Sequence, residues 1–87
     1  MSKLEKLLLK ILSGRSDAGI EFTELCGLMR RLGFSERIRG DHHIFTRSGV
    51  EEIINVQPRD SLCKPYQIRQ VRTLITHYKV ENTDAEI

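Results

Sequence analysis

The chain has 87 residues, 39% apolar and 30% charged, with a formal net charge of +2. That length fits one small domain with a single core and leaves no room for a separate cofactor domain. No apolar run approaches the ~20 residues of a membrane span, so no membrane helix is expected.

The first element runs from Ser2 to Leu12. Leu4, Leu8, Ile11 and Leu12 recur at helical spacing, with Lys3, Glu5, Lys6 and Lys10 elsewhere around the wheel. Lys10 interrupts the apolar run Leu7-Leu8-Leu9 and no small-residue cleavage site follows. The reading is therefore helix rather than signal peptide, in a cytoplasmic protein. Ser13-Gly14 stops the helix, and residues 15–19 read as a loop.

A second helix is expected from Phe22 to Leu32. Phe22, Leu25, Cys26, Met29 and Leu32 form its stripe, and Glu24, Arg30 and Arg31 lie on the opposite face. Gly33 suits the left-handed residue after the helix end, and Phe34 returns the chain to the core.

Three short strands follow. The first covers Glu36–Arg39, with Ile38 as its apolar residue; Gly40-Asp41 makes a turn. The second covers His42–Thr46, and Arg47-Ser48-Gly49 supplies a hairpin connection. The third covers Val50–Gln57, where Ile53, Ile54 and Val56 give strand character and Pro58 ends it. A polar loop leads to Pro65, which suits the first turn of a helix because its missing N–H costs nothing there. Ile68, Val71, Ile75 and Tyr78 would face the sheet, with Arg69, Arg72 and Thr76 on another face.

Three of the 12 acidic residues, Glu81, Asp84 and Glu86, fall at 81–87, which reads as a flexible acidic tail; residues 1–80 then carry all 14 Lys and Arg against nine acids. That basic excess is compatible with a polyanionic partner. Cys26 and Cys63 form no CxxC pair, and no His, Cys or carboxylate cluster has metal-ligand spacing, so neither a metal nor a cofactor is expected. No Gly-rich phosphate loop is present. The fold class is α+β: a three-stranded antiparallel sheet with helices on one face, because the apolar side of the sheet must be covered.

The most informative stretch is Gly40-Asp41-His42-His43-Ile44-Phe45, which sets two imidazoles just after a turn. Imidazole is the side chain that gains and loses a proton near neutral pH. In a regular strand the two histidines point to opposite faces. His42 shares parity with Ile44. His43 shares parity with Phe45 and is expected partly buried and hydrogen-bonded under the helices. His77 reads as a helix-end residue that complements the helix dipole.

The runs FTELCGLMRRLGF, GDHHIF, IINVQP and KPYQIRQVRTLI, in that order across residues 22–80, resemble the HicA toxin family. The resemblance implies a double-stranded-RNA-binding-domain-like α-β-β-β-α core, to which residues 1–20 add an N-terminal helix. It implies an mRNA endonuclease of a toxin–antitoxin pair, working without a metal ion and neutralised by a HicB-type antitoxin. The family's catalytic histidine follows a Gly-x pair, a position held here by His42. Where the family commonly has Ser between Gly and His, this chain has Asp41. A carboxylate there favours the imidazolium and repels an incoming phosphate.

RNA carries its own nucleophile. A base that takes the 2′-OH proton lets that oxygen attack the adjacent phosphorus, giving a cyclic phosphate and a free 5′-OH. Proton transfer of this kind contributes roughly 10²–10⁴ in rate, and cations stabilise the extra charge on phosphate oxygens. His42 is the candidate base or acid. Arg37, Arg39 and Arg47 around the histidines, and Lys64, Arg69 and Arg72 near or on the last helix, are the candidate phosphate contacts. The competing functions are a non-catalytic RNA-binding module, since double-stranded RNA is read largely through shape and backbone, and a protein-interaction domain.

Overall fold

In the computed structural model, residues 2–78 are described; the acidic stretch 81–87 lies outside them. The order is α1 (Lys3–Ser13), α2 (Phe22–Arg31), β1 (Ser35–Arg39), β2 (His42–Arg47), β3 (Val50–Val56) and α3 (Pro65–Tyr78). The strands form one antiparallel sheet in the order β1-β2-β3. The protein is thus α+β, and the expected boundaries hold to within a residue or so.

Each helix end has a local cause. Ser2 caps α1, its hydroxyl accepting from the Glu5 N–H at 3.2 Å. At the end of α2, Gly33 takes φ +91°; its N–H donates to the Arg30 carbonyl and the Phe34 N–H to the Met29 carbonyl. That pair of bonds satisfies carbonyls the helix leaves open and turns Phe34 inward. At α3 the buried Gln67 side chain reaches back to accept from the Lys64 N–H at 3.1 Å, so its burial leaves no unpaired polar group.

The core draws on every element but β1: Leu7 and Ile11 from α1, Leu25, Leu28 and Met29 from α2, Phe45 from β2, Ile54 and Val56 from β3, and Ile68, Val71, Leu74 and Ile75 from α3. Residues 2–20 are therefore part of the folded unit, with α1 packed on the other helices. The α1 stripe is Leu4, Leu7, Leu8 and Ile11, an i, i+3, i+4, i+7 set; Leu12, expected inside, is 41% exposed because it lies a further ~100° around the wheel from Ile11. Leu28 and Leu74 join the stripes read from the sequence.

Two loops close one end. Ile20 is buried, the Cys63 N–H donates to its carbonyl, and the Phe22 N–H donates to the Ser61 carbonyl, which stitches the α1–α2 connection to the β3–α3 loop. Arg72 of α3 braces the same connection with two bonds to the Asp17 carboxylate, at 2.8 and 3.1 Å, and a third to the Ile11 carbonyl. Cys26 and Cys63 are both buried and free.

Candidate functional site

The register of the sheet decides what the two histidines can do. Arg39 pairs with His42, Arg37 with Ile44, and Ile44 with Asn55. Paired residues share a face, so Arg37, Arg39, His42, Ile44 and Asn55 lie together. Glu36, His43, Phe45, Ile54 and Val56 lie on the other face, against the helices. Gly40 enters the β1–β2 turn with φ +59°, the positive φ that a two-residue hairpin favours at its first loop position. His42 thus sits directly after the turn, with its side chain 46% exposed.

Two polar side chains from β3 and its continuation hold this end of the sheet. Asn55 Oδ1 lies 3.0 Å from His42 Nδ1, and the Gln57 amide donates to Asp41 Oδ2 at 2.8 Å. An amide oxygen only accepts, so the ring donates from Nδ1, and the neutral ring has its lone pair on Nε2. Nε2 points to the Asp41 side, 4.0 Å from Oδ1. The Gln57 hydrogen bond, above all, holds the Asp41 carboxyl below its ordinary range, helped by its own backbone N–H and the charges of His42 and Lys64. Asp41 is therefore ionised at neutral pH, beside a basic nitrogen.

The candidate cations divide into two groups. Arg39 stands directly across from His42 and Arg37 shares its face. Neither is paired with an acid among the described residues. Lys64, just before α3, acts on Asp41 through its charge. The other three do not join them. Arg47 pairs with Val50 at the far end of β2, beyond a bulge, and at ~3.3 Å per residue that is roughly 16 Å along the strand from His42. Arg69 lines a shallow groove of about 310 Å³ with Glu52, Ile54 and Tyr66, between α3 and the edge strand β3. Arg72 is committed to Asp17. Sequence proximity drew in Arg47, and helical spacing drew in Arg69 and Arg72. Strand register places Arg47 elsewhere, the α3 groove Arg69, and a tertiary ion pair Arg72.

His43 is on the covered face, as its parity with Phe45 implies. Its Nδ1 lies 2.6 Å from Glu36 Oε2 and 3.9 Å from Cys26 Sγ, and its ring meets Phe22 edge-on with centroids 4.7 Å apart. Arg30 donates to the other Glu36 oxygen at 2.6 Å. Burial pushes the Glu36 carboxyl up, but the hydrogen bonds from His43 and Arg30 outweigh it and the net shift is downward. This trio is no nucleophilic relay. Thiol and carboxylate address the same ring nitrogen, and burial pushes the Cys26 thiol up to about 11.

Asn55 and Gln57 escaped the sequence reading. Their signal was present, because they alternate with the buried Ile54 and Val56 and must share the open face. The comparison with protein-family models, with curated proteins and with solved structures found no match to this chain.

Proposed function

We propose that this chain is a HicA-type mRNA endonuclease, the toxin of a toxin–antitoxin pair, acting in the cytoplasm on RNA with His42 as the proton-transfer group. The observation that carries the reading is the outward imidazole with Nδ1 engaged by Asn55 and Nε2 left to a substrate, on one face with two arginines that have no acidic partner among the described residues. The order α2-β1-β2-β3-α3 suits the double-stranded-RNA-binding-domain-like core that the motif resemblance implies. Nε2 takes the 2′-OH proton. Arg39 and Arg37 hold the phosphate as charge builds on its oxygens. Asp41 stabilises the imidazolium formed in that step, at the cost of repelling the phosphate. With a single imidazole and no second neutral acid beside it, cleavage is expected to be slow. Ile53, 61% exposed on the same open face as Asn55, supplies apolar surface for an antitoxin of HicB type that would cover the site.

The test is expression of the wild type and His42→Ala in growing cells, with growth and mRNA integrity followed together. Arrest and mRNA fragments with 2′,3′-cyclic phosphate ends in the wild type alone support the reading. RNA binding that survives His42→Ala, with no cleavage by either protein, would establish instead a non-catalytic RNA-binding module.

A further inference from the structure

The sequence spacing holds no metal-ligand signature, yet the fold brings a thiol, a carboxylate and an imidazole together from three elements. Cys26 comes from α2, Glu36 from β1 and His43 from β2, and their donor atoms all lie within 4.8 Å of one another. We propose that this cluster is a site for a borderline-soft divalent cation of the zinc class, separate from the chemistry at His42.

The geometry of the three donors is the argument. Two acceptors, Glu36 Oε2 at 2.6 Å and Cys26 Sγ at 3.9 Å, converge on one ring nitrogen. A single N–H satisfies only one of them, and the carboxylate takes it. A cation satisfies all three at once. Zinc binds thiolate sulfur at about 2.3 Å, imidazole nitrogen at about 2.0–2.1 Å and carboxylate oxygen at about 2.0–2.2 Å. Tetrahedral angles then place the donor atoms roughly 3.4–3.6 Å apart. The Sγ–Nδ1 separation already lies within a few tenths of an ångström of that, and the Nδ1–Oε2 pair needs to open by roughly 1 Å, a side-chain rotation.

The surroundings fit an outer shell. Arg30 holds Glu36 Oε1 at 2.6 Å, which leaves Oε2 to face the ion and fixes the carboxylate plane. The Phe22 edge fixes the imidazole plane. Cys26 is buried, and the Glu36 and His43 side chains are 14% and 21% exposed, so the site is largely shielded and a fourth position would fall to water. Proton balance is simple. The thiol proton leaves to the buffer, and the His43 N–H moves from Nδ1 to Nε2. Thiolate and carboxylate then offset the ion's two charges. Softness favours zinc over magnesium or calcium, which prefer all-oxygen shells. A bound ion would tie α2 to both strands under the helices, opposite the face that presents His42.

The experiment is a titration of the untagged chain with Co²⁺, which reports tetrahedral thiolate ligation in its visible d–d and near-ultraviolet charge-transfer bands. The wild type is expected to take up one equivalent with both bands, and Zn²⁺ to displace it and raise the melting temperature. Cys26→Ala, checked for folding by circular dichroism, loses the charge-transfer band. Glu36→Gln, which keeps volume and a hydrogen-bond acceptor, binds at least tenfold more weakly. His42→Ala and Cys63→Ser bind as the wild type does, whatever their effect on RNA cleavage. A folded wild type without tetrahedral bands at excess Co²⁺ would overturn the proposal. So would bands unchanged in Glu36→Gln or in a folded Cys26→Ala.

Discussion

Asn55 offers the sharpest test of the site, because its role is separable from that of the imidazole it touches. A neutral imidazole has one N–H and two tautomers. The 3.0 Å contact between Asn55 Oδ1 and His42 Nδ1 selects the tautomer with a free Nε2 lone pair. A hydrogen bond between neutral groups contributes about 0.5–1.5 kcal/mol net. The His42 side chain is nearly half exposed, so water competes and the lower half of that range applies. At about 1.4 kcal/mol per tenfold, Asn55→Ala is expected to slow cleavage by roughly two- to fivefold. On the proposed mechanism, His42→Ala is expected to lose the proton-transfer contribution itself, roughly 10²–10⁴. Asn55→Asp keeps an acceptor, so the tautomer is retained, while the added carboxylate favours imidazolium and moves the acidic limb of the rate profile upward in pH. The assay pairs single-turnover cleavage of a labelled RNA with ¹⁵N chemical shifts of the His42 ring. At a pH where the ring is neutral, the wild type and Asn55→Asp are expected to show the Nδ1–H tautomer, and Asn55→Ala a mixture. An unchanged tautomer in Asn55→Ala, or a loss as large as that of His42→Ala, would refute the positioning role.

Two further outcomes follow from the same geometry. Arg37 and Arg39 are the cations on the His42 face, so each Ala substitution is expected to reduce the slope of log affinity against log salt for single-stranded RNA by about 0.7; Arg69→Ala, off in the α3 groove, is expected to leave it unchanged, and equal slopes in all three would argue against an open-face RNA track. The second concerns acid stability. The Glu36 carboxyl is held below its ordinary value of 4.5, so its pairing stabilises the fold above that pH and the stabilisation is lost as pH falls through the lower folded value. Thermal melts are expected to show the wild type above Glu36→Gln near neutral pH, with the gap closing in strong acid; a gap that persists there would mean that the carboxylate charge is not what stabilises.

The parts of the fold legible in the sequence are those fixed by local rules. The helix ends at Ser2, Gly33 and Pro65, and the turn at Gly40, follow from capping and from φ preferences that single residues announce. The opposite fates of His42 and His43 follow from strand alternation alone. What stayed hidden is what register and tertiary contact decide. Arg47 sits five residues from His42 in sequence, and only the pairing with Val50 shows how far along the sheet that carries it. Arg72 looks like any solvated helix cation until Asp17, 55 positions away, is seen to hold it. The Cys26–Glu36–His43 cluster is invisible to spacing rules because its members come from three elements, 10 and 7 residues apart.

The exposure of His42 is set by its neighbours more than by its own polarity. A one-residue slip of β2 would carry His42 and Ile44 beneath the helices and turn His43 and Phe45 outward. Hydrophobicity alone discriminates weakly here. Burying Phe45 and burying Ile44 each fall in the same range, about 1.5–3 kcal/mol for a side chain, so the exchange nearly cancels. Two other terms do not cancel. The slip would separate His43 from Glu36, a hydrogen bond to a charged group of about 1.5–3 kcal/mol. It would also move the hairpin so that a residue other than Gly40 met the positive φ, at about 1–2 kcal/mol. Together these are a large fraction of what a domain of this size has in reserve. The inner imidazole and the turn glycine therefore fix the register, and the register holds the outer imidazole in water among its arginines, so a variant that frees His43 is expected to blur the presentation of His42 without touching it.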